Sequence, residues 1–232
     1  MEASLTAPTN FTLATDWYAT GGNSASKGKF RTLQGFSTGA EGKMYTGCPG
    51  CPYKHYSMFY DYYGDFDYAD KWVSAALAGT SMSFTSGKHG PNDFSALGDA
   101  ARIEAVKKGT AYMNVWMYTI REFEDAIDDC ASCTSDCNEF SANDAGPVHA
   151  WDEGVAFYTG SREGTLPGGS TSGKMVYRLA EKRCANFGTC TLTLALALAL
   201  APALALTSYS DPNQVRQLRH LHRRGRHVAG QR

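Results

Sequence analysis

Apolar residues recur at steps of three and four over residues 99–130, where Ile103, Val106, Met113, Trp116, Ile120, Phe123 and Ile127 share a face with one gap. That spacing predicts a long amphipathic helix. Gly109 lowers the local helix propensity by about 1 kcal/mol against Ala, which a run this long outweighs or accommodates with a bend. Pro147 suits the first turn of a second helix, which runs to about Tyr158 and stops at Gly160. The run KMVYRLAEKRCANFG predicts a third, with Met175, Val176, Leu179 and Cys184 on one side and Gly188 at its end. Upstream, residues 53–79 pass from a Tyr-rich turn region into a helix from about Phe66, with Asp65 as its prospective cap and Gly79 as its stop.

The intervening stretches lack periodicity. Residues 1–47 are rich in Gly, Ser and Thr and predict an extended or loop-rich lead-in with at most one short helix. Ser83–Gly90 reads as a loop, and Asn92 or Asp93 opens a short turn before the long helix. Loops are also expected over 131–146 and 164–173. No run alternates in the manner of a half-buried strand, so the expected fold is all-α and bundle-like. The expected division is a lead-in over 1–52, a helical domain over 53–190, and a tail over 191–232.

The tail changes character abruptly. TLTLALALALAPALAL is a two-letter repeat interrupted by Pro202, shorter than the roughly 20 apolar residues of a membrane span. RQLRHLHRRGRHVAGQR contains no Lys, although the rest of the chain uses Lys freely. This pattern predicts disorder and fits translated intron or frame-shifted sequence, a gene-model artefact. A basic nucleic-acid arm and an amphipathic membrane tail are the rival readings.

The formal charge of −1 hides an asymmetry: from Thr207 onward there are six Arg and one Asp, and the remainder carries 16 basic and 22 acidic residues. An acidic, Tyr-rich body argues against nucleic acid as partner, since phosphate binding draws its affinity from Lys and Arg. Seven Cys form the clusters Cys48/Cys51, Cys130/Cys133/Cys137 and Cys184/Cys190. Such density points to an oxidising compartment or a metal site. Local disulfides stapling the loops between helices are the expected state, with the odd thiol left over by truncation of the chain. The first residues lack the basic and apolar regions of a signal peptide. Asn10-Phe11-Thr12 is a glycosylation sequon.

Four segments carry a family resemblance: DYADKWVSAALAGT, ARIEAVKKGTAYMNVWMYTIREFEDAIDDC, HAWDEGVAFYTGS and LAEKRCANFGTC. Together, over roughly residues 55–190, they resemble the algal iron-assimilation proteins, also called low-iron-inducible or high-CO2-inducible periplasmic proteins. HAWDEGVAFYTG and EKRCANFGTC are the most specific part. The resemblance implies secretion to the periplasm or cell surface and a role in iron acquisition. A cell-surface iron transporter or reductase is the partner expected beside iron itself. Members of that family begin with a signal peptide and continue past the last motif, so this chain is expected to be a fragment.

Candidate chemistry then falls on two helices. His149 and Glu153 are one turn apart and point the same way, with Asp152 adjacent, a two-ligand edge for iron. The rival explanation is that acids near a helix start are stabilised by its dipole. On the long helix Glu122, Asp125 and Asp129 share a face and Glu124 and Asp128 another, an acidic end that either holds a cation or is a solvated surface. Glu104 pairs naturally with Lys108 and is read as structural. The expected iron site joins His149, Asp152 and Glu153 to Glu122, Asp125 or Asp129 between packed helices.

Tyr56, Tyr60, Tyr62, Tyr63 and Tyr68, with His55, Asp61, Asp65 and Asp67, offer phenolate and carboxylate oxygen as a second candidate. Packing is the stronger reading of that cluster. Cys48/Cys51 is a weak zinc or redox pair, no nucleophile–base set stands out, and LPGGSTSGK has the wrong spacing for a phosphate loop. The function expected is therefore binding rather than catalysis. A metal-dependent extracellular enzyme and a structural cell-surface glycoprotein are the alternatives.

Overall fold

Caps and left-handed glycines set the helix limits in the computed structural model, which describes residues 1–6, 8–46, 51–86, 88–133, 146–160 and 175–189. Asn10 accepts a hydrogen bond from the Leu13 amide at 2.8 Å and starts α1, Phe11–Ala19. Thr32 does the same for the Gly35 amide at 2.9 Å and starts α2, Leu33–Thr38, followed by α3, Ala40–Met44. Gly64 and Gly79, both left-handed, end α4, Lys54–Tyr63, and α5, Tyr68–Ala78. Asp99–Lys108 is α6, Gly109–Val115 is a π-helical segment, and Trp116–Ser132 is α7. Pro147–Thr159 forms α8 and Val176–Phe187 forms α9. Two antiparallel pairs of two residues each complete the described part, Ala25–Ser26 with Lys29–Phe30 and Ser81–Met82 with Asn92–Asp93.

The described part is thus mainly helical, as the periodicity predicts. The predicted limits of the helices starting at Pro147 and near Lys174 hold to within two residues. The tail, with its Leu-Ala repeat and Arg-rich end, lies outside the described residues. No described helix is long and apolar enough to cross a membrane. The disulfide staples expected between helices are not shown among the described residues.

Three details differ from the sequence reading. The lead-in carries α1, α2 and α3, and it supplies Leu5, Ala14, Tyr18, Ala40 and Met44 to the core. These helices run only five to nine residues, too short for a periodic stripe, and tertiary packing holds them. The Tyr-rich segment is helix α4 rather than a turn region. Asp65 does not cap α5, because its carboxylate accepts from Lys71 Nζ and from the Thr85 amide and hydroxyl.

The described residues divide into two compact units, those up to 121 with 175–176, and 122–133, 146–160 and 177–189. In the first, α5 packs against α6 and the π-helical segment. A Cβ on Gly109 would lie 2.5 Å from Trp72 Cδ1 and 3.0 Å from Val73 Cγ2. Only glycine admits so close an approach. Around this contact the Trp72 indole donates to the Ala105 carbonyl at 3.1 Å, and the Tyr68 hydroxyl donates to the Met113 carbonyl at 2.8 Å. Asn114, wholly buried in the π-helical segment, donates to the Leu33 carbonyl and ties α2 to the same seam.

Two apolar clusters flank that seam. Leu5, Ala14, Tyr18, Val73, Ala75, Ala76, Leu77, Phe94 and Val106 make one, and Ala40, Met44, Tyr53, Tyr56, Tyr68, Ala69, Phe84 and Met117 make the other. Asp70 gathers donors from Gln34 and Ser74 and sits beside the buried Tyr18 phenol. Burial, and then that carboxylate, push the phenol far above its ordinary pKa. In the second unit, Phe123 stacks at a tilt on Trp151 with centroids 4.8 Å apart, and Gly154 lets α8 approach the Phe123 ring.

Gly109→Ala should lower stability by about 1–3 kcal/mol through overpacking against Trp72 and Val73, despite the helix propensity that Ala gains. Denaturant unfolding checks this, and an unchanged or raised midpoint would show that the seam is slack.

Burial opposes the charge of Asp65, but the hydrogen bonds from Lys71 and Thr85 outweigh it and hold the carboxyl below its ordinary range. A carboxyl lowered on folding contributes stability above its unfolded pKa of about 4, and that stability is lost as pH falls through the folded value. Asp65→Asn should therefore cost about 1–3 kcal/mol at neutral pH. The gap from the parent should close as the solution is acidified below about pH 4, which a pH series of unfolding curves reads directly.

Candidate functional site

Helix α8 presents its chemistry on one edge. Pro147, Ala150 and Gly154 are buried, and Trp151 lies on Phe123. At 3.6 residues per turn this apolar face turns His149 and Glu153 away from the Phe123 contact. His149 Nε2 and Glu153 Oε1 stand 3.4 Å apart, with 29% of each side chain exposed. The sequence-predicted pair is therefore brought together within the helix. Asp152 adjoins it as an exposed residue. Partial desolvation raises the Asp152 carboxyl above its ordinary pKa, with the nearby His149 opposing the shift.

None of these acids lies in the first turn of α8. Helix-dipole stabilisation fades within one turn, so it does not explain Asp152 and Glu153. The explanation that competed with ligand chemistry is thereby weakened.

The acids of α7 are distributed differently from the expected cluster. Glu122 is 1% exposed and lies on a buried stripe with Ala126 and Cys130 at four-residue steps. Asp125 and Asp129 are half-buried, two and six residues on from Phe123 and so turned from the face that meets Trp151. Asp125 and Asp129 thus turn from the face that meets Trp151, whereas Glu122 is buried. Among the described residues no three His, Cys, Asp or Glu side chains gather as a metal-holding group. The structure joins His149 to Glu153 but does not assemble all six expected residues.

The Tyr-rich candidate resolves into packing. Tyr56 and Tyr68 are buried, Tyr63 stacks on Tyr68 at 4.2 Å, and Tyr60 stacks on Phe66 at 4.2 Å. Burial raises the pKa of both Tyr63 and Tyr68, aided by neighbouring phenols. Raised phenols resist forming the phenolate that ferric iron would take. A cleft of about 340 Å3 beside them brings Glu41, Asp65 and Asp67 to one rim. Lys71 contacts both aspartates, so this rim holds a cation of its own.

Cys130 is a buried thiol whose pKa is raised by burial and then by Asp129, the reverse of what an activated thiolate ligand requires.

Comparison with protein-family models, curated proteins and solved structures finds no match to this chain. The family resemblance accordingly rests on its four sequence segments alone.

One site-positioning residue was missed by the sequence reading. Gly154, inside HAWDEGVAFYTG, has a virtual Cβ 2.8 Å from the Phe123 ring, and a glycine in mid-helix was the available signal. Gly154→Ala should reduce stability by about 1–3 kcal/mol by forcing the ring aside. The intrahelical His149–Glu153 pair should survive. Thermal unfolding followed by near-ultraviolet dichroism of Trp151 is the check, and a fully additive gain in stability would contradict it.

Proposed function

We propose that this chain is an extracellular iron-binding protein that assists iron acquisition at the periplasm or cell surface. Iron is its cargo rather than a catalytic cofactor. The observation that carries the reading is the His149–Glu153 pair, an imidazole nitrogen and a carboxylate oxygen 3.4 Å apart on one part-exposed helical edge. Imidazole with carboxylate suits ferrous iron, and Asp152 adds the hard oxygen that ferric iron favours. Water or a small oxygen chelator completes the coordination sphere.

Other observations support parts of this reading. The seven cysteines fit an oxidising compartment, and we propose that disulfide bridges staple the loops of the helical domain. The net negative body favours accumulation of cations over polyanions. The resemblance of residues 55–190 to the algal iron-assimilation proteins supplies the biological direction. It also suggests a cell-surface transporter or reductase as the recipient of the iron.

His149→Ala and Glu153→Ala should each weaken iron binding at least about tenfold, measured by equilibrium dialysis on protein whose helical dichroism matches the parent. Affinity should also fall as pH is lowered, because ligands must lose their protons to bind metal. If both variants bind as tightly as the folded parent, the edge is not the site. If the parent retains no iron, the reading fails as a whole.

A further inference from the structure

We infer that Asn10 is a glycosylation site, carrying an N-linked oligosaccharide at the mouth of α1. The inference rests on the extracellular part of the proposed function. It goes beyond that reading in naming a covalent modification and its residue.

Asn10-Phe11-Thr12 is the one sequence in the chain of the form Asn-x-Ser/Thr, with Phe rather than Pro in the middle. A sequon alone is common. Here its fold placement is what such a modification needs. Pro8, Thr9 and Asn10 are exposed and outside regular structure, and Thr12 and Leu13 are exposed on the first turn of α1. Asn10 itself has extended backbone, φ −132° and ψ 90°.

The side-chain chemistry divides cleanly. The cap of α1 uses Asn10 Oδ1, which accepts from the Leu13 amide, whereas a glycan attaches through Nδ2. A glycosylated asparagine therefore keeps its carbonyl oxygen and its cap. In the transfer, Asn10 Nδ2 attacks the anomeric carbon of an oligosaccharide held on a polyprenyl diphosphate by the host transferase. The new N–C bond forms, the C–O bond to the diphosphate breaks, and the amide nitrogen gives up one proton to the enzyme's base. The attached sugar then stands beside Leu13, an apolar side chain that is 42% exposed, and gives that surface a hydrated cover.

The test is to express the full chain behind a cleavable secretory leader in a eukaryotic host and analyse protein from both cells and medium. The parent should migrate above its polypeptide mass. Treatment with a peptide-N-glycosidase should remove the difference and leave Asp at position 10. Asn10→Asp and Thr12→Ala should each abolish the shift. Asp caps a helix about as well as Asn, so Asn10→Asp should unfold at about the same midpoint as Thr12→Ala, which keeps an unmodified Asn10. Glycan found only on protein retained in the cells would support this inference while contradicting the extracellular reading. Leader-cleaved parent of unmodified mass would overturn the inference, as would a shift that persists in both variants.

Discussion

The close approach of α5 to Gly109 is the contact on which the first unit depends. Trp72 and Val73 occupy the space a side chain would fill, and the helix changes from α to π register at that residue. The wider turn places Thr110, Ala111, Asn114 and Val115 in the interior together. Across the seam the Trp72 indole is bonded to the Ala105 carbonyl and the Tyr68 phenol to the Met113 carbonyl. Two apolar clusters then form on either side. A π-helical turn is a costlier geometry than a continuous α-helix. It persists here because burial of Trp72, Val73 and Val106 outweighs the local loss.

Aromatic and acidic side chains, abundant in this chain, are mostly committed to that architecture. From α4, Tyr63 and Phe59 stack on Tyr68 and Tyr60 stacks on Phe66, and burial raises the pKa of the Tyr63 and Tyr68 phenols. Asp65 and Asp70 take hydrogen bonds from Lys71, Thr85, Gln34 and Ser74. These groups are not available to an incoming cation without loss of stability. The edge of α8 is different, since its imidazole and carboxylate meet at the surface and none of its acids lies where the helix dipole acts.

What the sequence revealed follows from length scale. The stripe from Ile103 to Ile127 is long enough for its period to emerge above noise, but the change to π-helical geometry over Gly109–Val115 was not legible in it. The limits at Pro147, Gly160 and Gly188 were legible because proline and left-handed glycine act locally. Helices α1 to α3 were not legible, since a core contribution of Ala14 and Tyr18 amid threonines leaves no stripe. The pairing of His149 with Glu153 could be read from their four-residue spacing. The direction in which α7 turns Asp125 and Asp129 could not, because it depends on Phe123 seating against Trp151 and Gly154. Asp65 looked like a cap by position, but a distant threonine and Lys71 decide its role.

The central claim is that imidazole and carboxylate of α8 hold iron, and X-ray absorption at the iron edge of the iron-loaded chain tests it most directly. The account predicts a first shell of oxygen and nitrogen, with the outer-shell scattering of a coordinated imidazole and no sulfur. A sulfur shell would move the site to the cysteines, and an oxygen-only shell without imidazole scattering would contradict the role of His149.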